Sequence, residues 1–205
     1  MRRAETIVRL VFAKQLLGIL RTTAGIVLYM VGFYVPFVYL ATGLQTRGIL
    51  SLTGALSVTT GALVGLAVLS PAAGWLADKI GVRRLLISSA LPLGIISVPL
   101  FAWMQHGRLS AVVISMTLLV FIYAPTIAVA PLPLALQFPQ AVRGTAFSVG
   151  FNLAATLCGG RSPLVADLLV QRTGSLAAAG GMLLVAVAPS VWAWASCPAP
   201  SEDSD

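Results

Sequence analysis

Two ionisable residues, Arg161 and Asp167, interrupt an otherwise apolar stretch near the end of the chain. A guanidinium is planar and permanently charged, so Arg161 has the right shape to bind the carboxylate of an anionic substrate. Burial makes a carboxylate easier to protonate, so Asp167 is a candidate for proton coupling. On a regular helix the two point about 120° apart, so a direct pair needs a distortion near Pro163. The alternative is that Arg161 reaches water along a loosened "GGRSP" segment, with Asp167 at the edge of the stretch.

Three uncharged polar residues, Asn152, Tyr34 and Tyr123, are further candidates for substrate contact because they stand in apolar sequence. The alternative for Asn152 is a hydrogen bond between helices, and for Tyr34 it is aromatic packing. Tyr123 precedes three prolines, at 125, 131 and 133, that predict a broken helix. Broken helices in membranes line cavities or are packed by neighbours, so the role of Tyr123 stays open between these two.

The remaining reactive residues do not indicate an enzyme. His106 is the one histidine, and the two cysteines, Cys158 and Cys197, are far apart in the sequence. No nucleophile–base pair and no metal-ligand grouping can be assembled from them. We therefore predict a protein that is not an enzyme, without a metal or a cofactor.

The composition identifies the environment in which these residues must work. Hydrophobic residues make up 58% of the chain and charged residues only 9%, whereas a soluble domain carries about 25% charged residues. Too little polar surface is available to cover a globule in water. The net charge of +7 does not indicate nucleic-acid binding, because the bases are scattered between apolar runs. The sequence predicts an integral membrane protein that contacts lipid.

Six apolar runs are long enough to cross a bilayer as helices. They cover residues 23–43, 52–77, 85–104, 109–135, 145–170 and 175–196. The predicted organisation is an amphipathic cytoplasmic lead-in over 1–21, a six-helix bundle over 22–196 and a disordered acidic tail over 197–205. The fold class is an all-α membrane protein.

The basic residues predict the orientation of the bundle. With a cytoplasmic N-terminus, nine bases fall on the inside and three on the outside, and only Arg161 stands within a span. This bias places both termini in the cytoplasm. Four tryptophans at the ends of spans agree with this arrangement, because indole rings favour the membrane interface. They are Trp75, Trp103, Trp192 and Trp194.

The turn between the second and third spans contains residues beyond the basic ones that set the orientation of the chain. It reads "GWLADKIGVRR", and we take as a cytoplasmic gate its residues Gly74, Asp78, Lys79, Gly81, Arg83 and Arg84. The glycines allow close helix packing and a tight reversal. An aspartate there can bond backbone amides or a base on a neighbouring helix, which would hold the cytoplasmic side shut in one state. The alternative is a solvated turn whose bases serve orientation.

This turn resembles the loop motif of the major facilitator superfamily, G-x-x-x-D-R/K-x-G-R/K-R/K, which follows the second helix of each six-helix half. Val82 stands where a base is common. The stretch from 138 to 169 resembles the tenth-to-eleventh helix region of the metabolite:proton symporters, the group with proline/betaine, citrate, shikimate and α-ketoglutarate carriers. The matching residues are Phe138, Pro139, Arg143, Gly144, Thr145, Ser148, Asn152, Gly159, Gly160 and Pro163. A weaker match, "FYVPFVYL", resembles the seventh helix.

The resemblance implies the C-terminal half of a twelve-helix carrier, with Arg143 joining the gate. Leu136 replaces a glutamate that is frequent in the family, so Arg143 lacks that partner here. The implied function is proton-coupled symport of a small metabolite by alternating access in the inner membrane, and Arg161 favours an organic anion. The implied partners are the substrate, protons and a missing N-terminal six-helix half. The alternatives are a truncated or split-gene fragment that does not transport alone, or a homodimer.

Overall fold

The computed structural model describes the backbone of residues 2–198 and the side chains of residues 15–198. All regular structure in this described part is helical. The α-helices are α1 Arg2–Phe33, α2 Leu40–Thr46, α3 Leu52–Ile80, α4 Val82–Met104, α5 Leu109–Val129, α6 Pro131–Leu136, α7 Arg143–Ala154, α8 Ser162–Thr173 and α9 Ala177–Ser196, and the π-helical segments are Tyr34–Tyr39 and Ala155–Gly159. Most of the predicted acidic tail, from residue 199 onward, lies outside the described residues.

These helices join into six segments that are long and apolar enough to cross a membrane, which we number spans 1 to 6. Their bounds are Gln15–Thr46, Leu52–Ile80, Val82–Met104, Leu109–Leu136, Arg143–Thr173 and Ala177–Ser196. The predicted all-α, six-span fold is confirmed. The predicted lead-in over 1–21 is not set apart in the backbone, because α1 runs through residue 21 without interruption. The protein is a multi-pass membrane protein.

Short connections make neighbouring spans antiparallel, so the bundle has two ends. We call "the Asp78 end" the one where span 2 ends, span 3 begins and span 6 ends. "The Arg47 end" is the opposite one, where span 1 ends at Thr46 and span 5 at Thr173.

Three of the spans are interrupted where the sequence has prolines or glycines. The π-helical segment of span 1 contains Pro36, which has no N–H to donate. Span 4 breaks at Ala130, directly before Pro131, as the prolines predict. Span 5 passes from its π-helical segment through Gly160 and Arg161 into α8. The predicted loosening around Pro163 is therefore present.

Small residues and hydroxyl groups hold the spans together, as is usual where helices pack in lipid. Span 6 crosses span 3 at Gly180, where an added Cβ would lie 2.7 Å from the carbonyl oxygen of Ser97. The Ser97 hydroxyl donates to the carbonyl of Gly180 at 2.9 Å. The Ser190 hydroxyl of span 6 enters the ladder of α1, donating to the carbonyl of Ala24 and accepting from the N–H of Leu28. Spans 1, 3 and 6 therefore form the tightly packed part of the bundle.

Spans 2 and 5 are the least covered. In the most apolar stretch of each, 17% of the residues of span 2 and 28% of those of span 5 are buried, against 67% for span 1. A groove of about 490 Å³ runs between spans 2 and 4 past Gly61 and Gly65. A Cβ at Gly61 would meet nothing within 4 Å. These two spans present the open faces of the bundle.

Candidate functional site

Arg161 lies at the junction of the two halves of span 5, after the π-helical segment and immediately before α8. Its side chain is exposed. The helical ladder is loosened here because the π-helical segment shifts the hydrogen-bond register, a feature that is frequent at functional sites. The guanidinium is thus presented on an open face at the middle of a span.

Tyr34 reaches this same junction from span 1. It begins the other π-helical segment, and its ring lies 3.1 Å from the position of a Cβ at Gly159, two residues before Arg161. Its ring also packs edge-on against Phe33, with the centroids 5.7 Å apart. The two interrupted helices therefore meet at one depth, where Tyr34 contacts Gly159, two residues before Arg161.

Asp167 stands six residues beyond Arg161 and is half-buried. Its carboxylate accepts a hydrogen bond of 2.6 Å from the side chain of Gln171 on the same helix. It also lies close enough to Tyr39 of span 1 to interact with it electrostatically, and Arg47 acts on the same phenol. The structure thus groups Asp167 with these residues at the Arg47 end rather than with Arg161.

Asn152 lies on an open polar face of α7. It lines a shallow groove of about 830 Å³ together with Gly144, Thr145, Ser148 and Thr156. Its side-chain amide donates to the carbonyl of Ser148 on its own helix at 2.8 Å. The alternative that the sequence left open, a hydrogen bond to another helix, is not found among the described residues, where the side chain is exposed. Substrate contact by Asn152 stays a prediction.

Tyr123 occupies the core instead of an open face. It is 2% exposed, and its hydroxyl donates to the carbonyl of Tyr29 at 2.5 Å. The ring fills the space beside Gly32, where a Cβ would lie 2.5 Å from a ring carbon. Of the two roles that the sequence left open for this segment, this packing matches the one in which neighbours cover a broken helix. Substrate contact by Tyr123 stays a prediction.

The turn at the Asp78 end is built around Gly81, which ends α3 and precedes α4. Its φ of +91° lies in the region that favours glycine, so the predicted tight reversal is present. The ammonium of Lys79 sits over the indole of Trp75, 3.7 Å from the ring centroid. Asp78, Arg83 and Arg84 are exposed. A gating role for this turn stays a prediction.

Two residues of the predicted gate stand apart from that reversal. A Cβ at Gly74 would meet nothing within 4 Å, so close helix packing there is not found among the described residues. Arg143 begins α7, and its Nε donates to the carbonyl of Phe138 at 3.2 Å. This bond ties the start of span 5 to the end of span 4.

Trp194 departs from the interfacial placement predicted for the tryptophans. Trp75, Trp103 and Trp192 are exposed, but Trp194 is 1% exposed and packs beside Gly25 and Leu134. Its indole N–H has no hydrogen-bond partner in the described part of the chain. The position of Trp194 near the end of a span did not indicate which face of α9 its indole ring occupies.

Sequence reasoning also missed Arg47. Its two terminal nitrogens donate to the carbonyls of Gly174 at 3.0 Å and Val170 at 2.9 Å. Arg47 and these two carbonyls are more than 120 residues apart in sequence. A basic residue directly after a span otherwise indicates only the orientation of that span. Nothing local in the sequence could have indicated this contact.

Comparison with known proteins gives relatives of one kind. An ectoine/proline transporter, ProP, of Corynebacterium glutamicum is 30% identical over 152 residues, which cover 74% of this chain and 29% of the relative. A putative proline/betaine transporter of Staphylococcus aureus is 31% identical over 155 residues, covering 73% of this chain and 32% of the relative. A citrate-proton symporter of Salmonella typhi is 29% identical over 160 residues, covering 75% and 36%.

The chain therefore spans about a third of the length of the curated relatives it matches. No family model matches it, and no solved structure does. The named relatives are transporters, and one is a symporter by name. Together with the six spans and the motifs at 74–84 and 138–169, this similarity fits the C-terminal half of a major facilitator metabolite:proton symporter.

Proposed function

We propose that this chain is the C-terminal half of a proton-coupled symporter for a small metabolite, working by alternating access against a second six-helix bundle in the inner membrane. Both termini lie in the cytoplasm in this proposal, following the distribution of bases. The observation that supports it most directly is the open polar face of span 5, with Asn152 on the groove and Arg161 exposed beyond it.

Such a face is unfavourable against lipid. Charged and amide side chains within a span almost always face a bundle interior or a water-filled cavity. No described side chain covers Asn152 or Arg161, since both residues are exposed in the part of the chain that the structure describes. A second bundle opposite spans 2 and 5 would enclose it and turn it into the wall of a pathway. In carriers of two related halves, the substrate site lies near the midplane at the interface of the halves.

The substrate class follows from Arg161. The substrates named for the relatives, ectoine, proline, betaine and citrate, all contain a carboxylate. A guanidinium binds a carboxylate through two parallel hydrogen bonds. We therefore propose a carboxylate-bearing metabolite, with Arg161 as the group that binds the carboxylate and Tyr34 of span 1 as a further contact.

Proton coupling is assigned to Asp167. The carboxylate is half-buried, and it lies close enough to the phenol of Tyr39 on span 1 to interact with it electrostatically. Protonation would remove the negative charge beside Tyr39 and so change the contact between spans 1 and 5. This is the kind of two-state contact that couples a proton to a movement between helices.

The test joins the chain to a second half. Residues 1–205 are produced with a six-helix N-terminal half, encoded in frame upstream or taken from the Corynebacterium glutamicum relative. Uptake of labelled proline, betaine and citrate is measured in proteoliposomes with an imposed proton gradient. We expect uptake with both halves present and its loss when a protonophore collapses the gradient. Uptake by residues 1–205 alone would contradict the half-carrier proposal.

Single substitutions then test the site in the active pair. Arg161→Gln should reduce uptake by about tenfold or more, because a charge-assisted hydrogen bond contributes about 1.5–3 kcal/mol. Arg172→Gln is the matched control, since Arg172 is an exposed arginine near the end of the same span. Asp167→Asn should leave binding of the substrate but remove the dependence on the proton gradient. Unchanged uptake by the Arg161 variant would remove that residue from the site.

A further inference from the structure

A cavity of about 330 Å³ lies at the Asp78 end, away from the open polar face of span 5. Its walls come from the start of span 3, the end of span 4 and the end of span 6. Span 3 begins and spans 4 and 6 end at this level, so the cavity lies at one end of the apolar spans, the level at which lipid headgroups would lie.

The walls are apolar and reach the outside of the bundle. Val82, Leu132, Leu136 and Trp194 line the cavity, and Leu132 and Leu136 are also exposed on the outer surface of the bundle. A hydrocarbon chain can therefore enter from the side. The wall made by Trp194 is rigid, because that ring is fixed in the core.

Positive charge gathers at the mouth of the same cavity. Arg83 lines it and is exposed. Arg21 lies nearby on α1, and its Nε is buried without a hydrogen-bond partner among the described residues. Both guanidiniums act on the thiol of Cys197, which lines the cavity: burial raises the pKa of this thiol, and the two positive charges lower it by a smaller amount.

Little negative charge is present to balance these groups. Among the described side chains, the acidic residues are Asp78 and Asp167. Asp167 belongs to the Arg47 end, and Asp78 is exposed on α3. In addition, α4 begins beside Arg83 with no acidic residue in its first turn and no side-chain cap. The free amide groups of a helix start add to the positive potential.

We propose that this cavity binds an anionic phospholipid, with the phosphate at Arg83 and Arg21 and one acyl chain along the apolar walls. Basic pockets between spans on the cytoplasmic side are typical sites for anionic headgroups. A free phosphate would use the arginines but leave the apolar walls empty, so a lipid matches more of the site. The acidic side chains that follow Pro198 would likewise contact the arginines and leave the apolar walls empty. The inference rests on the cytoplasmic orientation of the Asp78 end that is part of the proposed function, but not on transport itself.

Native mass spectrometry of the delipidated 205-residue chain tests the proposal. Dioleoyl phosphatidylglycerol and dioleoyl phosphatidylcholine have the same acyl chains and differ in net charge. We expect the chain to retain the anionic lipid about fivefold more tightly, since a nearby arginine contributes about 1 kcal/mol. Arg83→Gln should remove this preference, and Arg84→Gln, which changes an exposed neighbour outside the cavity, should keep it. Equal retention of both lipids, or equal loss in both variants, would overturn the proposal.

Labelling of Cys197 with a maleimide gives a second readout that does not depend on counting lipids. In a Cys158→Ser background, phosphatidylglycerol should slow the labelling severalfold and phosphatidylcholine should not. Protection by inorganic phosphate without lipid would assign the site to a free anion and refute the lipid. A chain ending at Pro198 should be protected as well as the full chain. If truncation at Pro198 abolished the protection of Cys197, the C-terminal segment and not a lipid would occupy the cavity.

Discussion

The guanidinium of Arg47 lies 2.9 Å from the carbonyl oxygen of Val170, and it also donates to Gly174. The last carbonyls of a helix have no partner within the helix, and a cation placed there also interacts favourably with the helix dipole. Gly174 ends α8 with a φ of +72°. Arg47 therefore caps span 5 from the end of span 1 and fixes the two spans together at the Arg47 end.

Replacing Arg47 with Gln should destabilise the chain by about 1–3 kcal/mol, because both carbonyls lose a charge-assisted donor. Thermal unfolding of the purified chain in detergent measures this as a lower Tm. The Tm of Arg47→Lys should lie between those of the unchanged chain and of Arg47→Gln, because an ammonium is a point charge without the planar fork of a guanidinium. Arg108→Gln at the same end is the control, and an equal loss in that variant would mean that net charge, not the cap, matters.

The contact between spans 3 and 6 should not tolerate a single methyl group. A Cβ at Gly180 would lie 2.7 Å from the carbonyl oxygen of Ser97 and 2.9 Å from the Cα of Val98, both backbone atoms. Gly180→Ala must therefore push the helices apart, at a cost of about 1–3 kcal/mol or more. Gly181→Ala is an ideal control, because its Cβ would meet nothing within 4 Å. Similar Tm values for the two variants would contradict this packing.

The hydroxyl of Tyr123 should contribute to stability through its bond to the carbonyl of Tyr29. Tyr123→Phe keeps the ring in its place beside Gly32 and removes only the donor. The expected loss is about 1 kcal/mol, the usual size for a hydrogen bond between helices in a membrane. Tyr34→Phe, measured in the same thermal assay, is the comparison, because that ring packs without such a core contact in the described structure. Equal effects in both variants would show that this hydrogen bond adds nothing.

Labelling of Cys197 should depend on pH in an unusual range. Burial raises the pKa of its thiol, and the thiolate is the reactive form. At neutral pH the maleimide rate should fall below that of an ordinary cysteine, and it should continue to rise at higher pH where an ordinary cysteine has levelled off. Arg83→Gln removes a charge that lowers this pKa, so the profile should move further toward high pH. A shift toward low pH would contradict the proximity of Arg83.

The sequence alone predicted the class of fold and the number of spans, because a run of apolar residues long enough to cross a bilayer has few other stable outcomes. Helix interruptions at Pro131 and near Pro163 were also predictable, since proline lacks the donor that a regular helix requires. The reversal at Gly81 followed from the turn motif in the same way.

Contacts between distant segments were not predictable. Arg47 and Val170 meet only because spans 1 and 5 pack side by side, and no local pattern records that arrangement. For Asn152 the sequence left open a hydrogen bond to another helix, yet the residue faces outward, and Trp194 was expected at the interface, yet it is in the core. Both cases concern which face of a helix a residue occupies, which depends on neighbours that a single apolar run does not reveal.

The π-helical segment Ala155–Gly159 has one more consequence. A π turn holds about one residue more than an α turn, so it rotates everything that follows by roughly 100° relative to an uninterrupted helix. The faces of α7 and α8 therefore cannot be assigned from one helical wheel drawn across span 5. A homologous carrier with a regular helix here would contain one residue fewer between Asn152 and Arg161. An alignment that places a one-residue gap inside this segment will therefore keep the side chains before and after it in structural register.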